Sequence, residues 1–182
     1  MAILKVARLG HPVLRQVARP VDLAELATPA LQRLIDDMIE TMREYDGVGL
    51  AAPQVHEPRQ IAVIEVHANP RYPHAPAVPL TVVVNPVVTP LTDEQVEDWE
   101  GCLSVPDLRG RVPRWGAVRL EGYDRHGQRL ELTAKDFFAR VIQHEHDHLN
   151  GRVYLDRMRD LATLAHIAEW QKYWLGAREP AD

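Results

Sequence analysis

The 182-residue chain has a single cysteine, no long apolar run and no excess of basic residues. One cysteine cannot close an internal disulfide, so a disulfide framework is excluded and a reducing compartment is expected. No uninterrupted apolar stretch approaches the length that spans a bilayer. The opening residues, MAILKVARLGHP, contain neither a continuous apolar core nor a small-residue cleavage site, so no secretory signal is expected. With 21 Lys and Arg against 26 Asp and Glu the net charge is −5, which argues against a protein built around nucleic-acid phosphates. What is present is ordinary for a soluble globular protein, with 46% hydrophobic and 26% charged residues. The expectation is a soluble, cytoplasmic chain that forms one domain over residues 1–182.

Local patterns give an α+β reading. Leu31, Leu34, Ile35, Met38, Ile39 and Met42 recur at steps of three and four and make one apolar helical stripe for the core. Thr28 followed by Pro29 reads as its N-cap and first position, and Asp46-Gly47 as its stop. Ile61–Val66 and Thr81–Val88 read as strands. Between them Pro70, Pro73, Pro76 and Pro79 fall at every third position, the spacing of an extended surface loop. Asp93–Glu100 reads as a solvated acidic edge. Residues 117–124 and 128–132 read as a hairpin. A second helix is expected to start from Thr133 as N-cap, with Asp136 completing a capping box, and to stop at Asn150-Gly151. Leu161, Leu164, Ile167 and Ala168 place a third helix in the tail, ending at Gly176. Strand runs close in sequence and framed by three helices predict mainly antiparallel sheets.

The second helix carries His144-Glu145-His146-Asp147-His148, an HExxH pattern. Residues four apart share a helical face, so His144 and His148 can aim at one metal ion, with Glu145 one step around and able to reach its water. A catalytic site of this kind uses three protein ligands and an open position. The metzincin pattern fits at Gly151 but has Tyr154 where its third histidine belongs. A thermolysin-like glutamate has only Glu169 as a candidate before Glu179, without a supporting motif. Cys102, beside Gly101, is the third candidate, and a thiolate suits iron(II), zinc, nickel or cobalt.

Three ordered segments, Gly47–Gln54 (GxGLAAxQ), Glu100–Ser104 (EGCLS) and Gln143–His148 (QHExDH), together resemble the peptide deformylase family. The resemblance extends over Gly10–Arg15, Val105–Arg114 and the helix end His148–Gly151, hence most of residues 3–156, with a helical extension over about 157–176. It implies hydrolysis of the formyl group from the N-terminal formylmethionine of nascent polypeptides. It also implies an α+β fold with antiparallel sheets around a central metal-binding HExxH helix. The implied cofactor is one divalent metal held by Cys102, His144 and His148, iron(II) in the cell, with zinc, nickel or cobalt able to replace it.

Further roles follow from the resemblance. Glu145 is the expected general base, and the Gln54 amide and Leu103 N–H are the expected donors to the formyl oxygen. Gly49 and Gly101 are expected as backbone contacts to an extended peptide. Val48, Phe137 and Val141 are expected to line the methionine pocket, with the Arg140 stem at its rim and Arg109 near the substrate. The implied partners are formyl-Met nascent peptides, with room for a transient ribosome contact, but no membrane and no direct nucleic-acid readout. The expected localisation is cytoplasmic and bacterial-type, an organellar mature form being the alternative. Two competing readings are a zinc-dependent peptidase, which needs a third His or Glu ligand, and a non-catalytic metal-stabilised peptide-binding module, which has no use for Glu145.

Overall fold

A computed structural model describes residues 2–67 and 75–175. The element order is α1 (Pro29–Glu44), β1 (Gly49–Ala51), β2 (Ile61–Val66), β3 (Val78–Pro90), β4 (Gln95–Cys102), β5 (Val105–Trp115), β6 (Ala117–Tyr123), β7 (Arg129–Lys135), α2 (Asp136–Leu149), β8 (Ala165–His166) and α3 (Ile167–Tyr173). Five strands form an antiparallel sheet in the order β1-β2-β3-β6-β7, and three form a second in the order β4-β5-β8. Among the described residues no helix is long and apolar enough to cross a membrane.

The large sheet lies between α1 and α2, and β2 shows why. Its side chains alternate between faces. Ile61 and Val63 join Ile35, Met38 and Met42 of α1, whereas Ala62, Ile64 and Val66 join Ala139 and Ile142 of α2. A strand covered on both faces reads as an unbroken apolar run, as IAVIEV nearly does. Its one charged residue, Glu65, is buried against Arg43, with Nε to Oε2 at 2.7 Å. The α1 stripe is buried at five of its six positions, Leu34 being half-buried. Thr28 caps the helix as expected, accepting from Leu31 N at 3.4 Å.

Several elements depart from the sequence reading. Thr133 does not cap α2, because the β6–β7 ladder continues through Thr133 to Lys135, opposite Ala117. Strand passes into helix with no loop, and the chain turns at Asp136 with φ 50°, a conformation aspartate tolerates better than most residues. The other end of α2 is as expected. Asn150 is its C-cap and Gly151 follows at φ +68°, where a Cβ would lie 2.7 Å from Arg15 O. The acidic run is not a solvated edge at its end: Gln95–Cys102 is β4, and Glu100 is buried. Pro70 and Pro73 lie outside the described residues, while Pro79 belongs to β3 rather than to a loop.

The tail is not one helix. Asp160 caps a short 3-10 turn at Leu161–Thr163, and Ala165–His166 pair with Arg109 and Leu108 of β5 before α3 begins. A capped 3-10 turn and the pairing of the next two residues interrupt the helical periodicity of Leu161 and Leu164. Gly176 lies outside the described residues.

Candidate metal centre and active site

Cys102 ends β4, and the chain turns there directly into β5. α2 passes alongside with His144 and His148 on the face turned toward it. Cys102 Sγ lies 3.3 Å from His148 Nε2, which lies 3.3 Å from His144 Nε2. All three donor atoms fall within 4.8 Å of one another. An ion bound tetrahedrally at ~2.0–2.3 Å holds nitrogen and sulfur donors roughly 3.3–3.6 Å apart, so the trio fits a divalent cation. Two imidazole nitrogens and a sulfur converging on one buried point have little other reason to do so. Glu169 is exposed on α3 and belongs to no such group, and Tyr154 is buried with its ring stacked 6.3 Å from that of His144. Cys102, with His144 and His148, therefore completes a group that could hold a metal ion.

The electrostatics agree. Burial alone would raise the Cys102 thiol pKa, but the facing His148 and His144 outweigh it and hold the thiol well below its usual range. Glu100 Oε2 lies 2.9 Å from His144 Nδ1, which leaves Nε2 as the ring's free donor. Glu100 in turn accepts from Arg114 Nε and Nη2 at 2.9 and 3.0 Å and from Arg140 Nη1 at 2.8 Å. Arg114 also pairs with Asp147, which Arg157 holds from outside at 2.6 Å. Burial opposes the Glu100 charge, but Arg114 and His144 keep its carboxyl below the ordinary range. Arg140 does line the cavity, yet its guanidinium turns away to Glu100 and to the carbonyls of Val112 and Val96, tying α2 to β4 and β5.

The sequence reading did not foresee this ionic lattice of Glu100, Arg114, Arg140 and Asp147. Glu100 and Asp147 stand in the EGCLS and QHExDH segments; the β4–β5 ladder brings Arg114 to Glu100, and the packing of α2 brings Arg140 and Asp147. We predict that Glu100→Gln weakens metal affinity about tenfold to a hundredfold, read by competition with a chelator. Unchanged affinity would remove Glu100 from any orienting role.

A cleft with about 440 Å³ of empty space, continuous with solvent, opens beside the trio. Val48, Gly49, Gln54, Gly101, Leu103, Phe137, Val141 and Glu145 all line it, with Trp99, which the sequence reading did not select. Gln54 is held by its Oε1 accepting from Ala51 N at 2.8 Å, which turns Nε2 toward Cys102 Sγ and Ser104 Oγ. Glu145 Oε2 is buried with no hydrogen-bond partner among the described residues. Burial pushes its pKa up to about 7, against the opposing pull of His144 and His148.

The surroundings of Gly49, Gly101 and Arg109 add detail that the sequence reading lacked. Gly49 and Gly101 are glycines because of what lies behind them: a Cβ on Gly49 would stand 2.7 Å from Glu145 Cδ, and one on Gly101 would stand 3.0 Å from Arg109 Nε. Arg109 is not on the cleft wall. It is buried behind Gly101, with Cζ 4.7 Å from the centroid of Trp170, because β8 and α3 cover that side of β5.

Comparison with known proteins agrees with this geometry. The polypeptide deformylase family model matches residues 3–163. The chain is 52% identical over 161 residues to peptide deformylase 1 of Bordetella pertussis, covering 88% of this chain and 90% of that one. It is 49% identical over 159 residues to peptide deformylase 1 of Nitrosomonas europaea, covering 87% and 89%. The structure matches the Met-Ala-Ser-bound class I type b peptide deformylase of Acinetobacter baumannii with a TM-score of 0.83 at 41% identity, covering 86% of this chain and 99% of that one. It matches the actinonin complex of the Synechococcus elongatus enzyme with a TM-score of 0.78 at 33% identity, covering 94% and 86%. Family model, relatives and fold agree that the chain belongs to the polypeptide deformylases, metal-dependent hydrolases that remove the N-formyl group from N-formylmethionine peptides.

Proposed function

We propose that Glu145 is the proton acceptor of this deformylase, and that Cys102, His144 and His148 hold its metal on the central helix α2. The observation that carries the reading is the buried, unpartnered Glu145 Oε2 on the cleft wall beside the trio. Leaving such a group unpaired costs about 1–3 kcal/mol, which a purely structural site would have no reason to retain. Iron(II) is the proposed metal in the cell, with zinc, nickel or cobalt able to take its place. When bound, such an ion supplies Lewis acidity, polarising a carbonyl and lowering the pKa of water.

The chain's own residues do the rest. β1 and β4 are both edge strands, and Gly49 and Gly101 bring their backbones to the two sides of the cleft. A formyl-Met peptide lies extended between them, pairing with strand edges as peptides commonly do. Its methionine side chain packs against Val48, Phe137 and Val141. The Gln54 amide and the Leu103 N–H donate to the formyl oxygen as negative charge builds there. Glu145 takes the proton of the attacking water at Oε2 and returns it to the departing amine, so formate and a free N-terminus leave.

Residues 3–156 form the catalytic unit and the segment from 157 packs onto it. The substrates are formyl-Met nascent peptides in the cytoplasm, where a transient ribosome contact would bring them to the enzyme. Purification without oxygen or added metal, followed by metal analysis and a formate assay on formyl-Met-Ala-Ser, tests the reading. About one metal per chain with formate release supports it; a metal-loaded protein that binds the peptide and releases no formate refutes it.

A further inference from the structure

The two groups proposed to donate to the formyl oxygen come from different sheets. Gln54 stands in the 3-10 turn Ala52–Val55 that follows β1 of the large sheet, and Leu103 in the turn between β4 and β5 of the small one. No strand pairing among the described residues joins the two sheets. The Gln54 amide itself touches the other turn, with Nε2 3.2 Å from Ser104 Oγ and 3.5 Å from Cys102 Sγ. An amide that turns to substrate cannot also fix the spacing of the two turns. The N-terminal segment does so. Ala7 N–H donates to Gln54 O, and Leu9 N–H donates to Ser104 O, both at 2.7 Å. Ala7, Gln54 and Ser104 are all buried. Gln54 O lies at the end of its 3-10 turn, where carbonyls need an outside donor. The segment is itself pinned. Leu4 N–H donates to Thr41 Oγ1 of α1 at 2.8 Å, and Ala7 packs with Val13 and Leu14. His11 sets its ring edge against that of His56, with centroids 4.7 Å apart at 78°.

We propose that the main-chain amides of Ala7 and Leu9 are positioning groups for the reaction, a clamp that sets Gln54 and Leu103 at the separation one formyl oxygen requires. The proposal rests on the reading of Gln54 and Leu103 as donors. Such donors act only if they are already in place when charge builds, and they tolerate displacements of about 0.5 Å. A single three-residue span that holds the carbonyl of one donor residue and the carbonyl next to the other meets that need. Arg8 N–H, between the two clamping groups, has no partner among the described residues, so the two bonds can be separated from the segment that carries them. The clamp leaves the metal trio alone: neither Ala7 nor Leu9 bonds to Cys102, His144 or His148.

The test replaces single backbone N–H groups by ester oxygens, which deletes one donor and leaves every side chain unchanged. The ester is placed at Ala7, at Leu9 and, as control, at Arg8, in the full-length metal-loaded enzyme acting on formyl-Met-Ala-Ser. We expect the Ala7 and Leu9 esters each to lower kcat about tenfold to a hundredfold with KM nearly unchanged, since the donors grip a charge present only in the transition state. The Arg8 ester should keep native turnover, and metal content should stay near one per chain in all three. Gln54→Ala should lower kcat about a hundredfold to a thousandfold. Adding the Ala7 ester to Gln54→Ala should cost almost nothing more, because the clamp acts through Gln54. Native kcat in the Ala7 and Leu9 esters, an equal loss in the Arg8 ester, loss of metal in step with activity, or full additivity with Gln54→Ala would each overturn the clamp. Native turnover in Gln54→Ala would instead overturn the donor reading on which it rests.

Discussion

Glu145→Gln is expected to lower formate release about a hundredfold to ten-thousandfold while keeping the metal. The amide has the shape of the carboxylate but cannot accept the water's proton. Glu145 is not one of the three converging donors, so metal content should stay near one per chain. The fold should not suffer. The native carboxylate is buried with Oε2 unpaired and its pKa pushed up to about 7 by burial, so the neutral amide removes a cost rather than a contact. The unfolding temperature of the variant is accordingly expected to equal or exceed that of the native protein, as happens where activity keeps a destabilised group. Metal analysis, the formate assay and thermal unfolding on one preparation check all three points. Native turnover, or loss of metal, would remove Glu145 from the role proposed for it.

Cys102→Ser is expected to lose both metal and activity. The substitution changes one atom in a site that is 4% exposed, so packing against Val105, Val112 and Tyr154 is nearly preserved. The donor chemistry is not preserved. Two facing histidines hold the Cys102 thiol well below its usual pKa, which favours the thiolate, whereas a serine hydroxyl keeps its proton. With only His144 and His148 left, metal content should fall from about one per chain to a small fraction. Circular dichroism that matches the native spectrum would show that the loss is one of ligation. Metal retained at the native level would mean that the third ligand lies elsewhere and would favour the peptidase ligand set.

The helix-borne part of the site was legible in the sequence because helix geometry is local. His144 and His148 four residues apart must share a face, and Glu145 must sit beside them, whatever the rest of the chain does. The α1 stripe, strand β2 and the hairpin of β6 and β7 were legible for the same reason, since each is a periodicity within one segment. That Cys102 joins the histidines rested on resemblance, because no local rule relates a residue to a helix 42 positions on.

The misreadings share one cause. Thr133 has the chemistry of a cap yet lies in the β6–β7 ladder, and the helical spacing of Leu161 and Leu164 gives way to a 3-10 turn that leads into the Ala165–His166 pairing with β5. Glu100 ends an acidic run that looks solvated, and is instead neutralised by Arg114 and Arg140 from other elements. Arg109 is expected near the substrate, and lies instead behind Gly101, covered by Trp170.

The sequence by itself determined the helix that offers two imidazoles and a carboxylate, the absence of any internal disulfide, and the stripes that build the core. Only the tertiary structure decided which charges are buried, which carboxylate faces His144 Nδ1, and that Trp170 covers Arg109. Hydrogen-bond periodicity is written within a segment, whereas burial and charge pairing depend on which segments meet, and that is set by the packing of the whole chain.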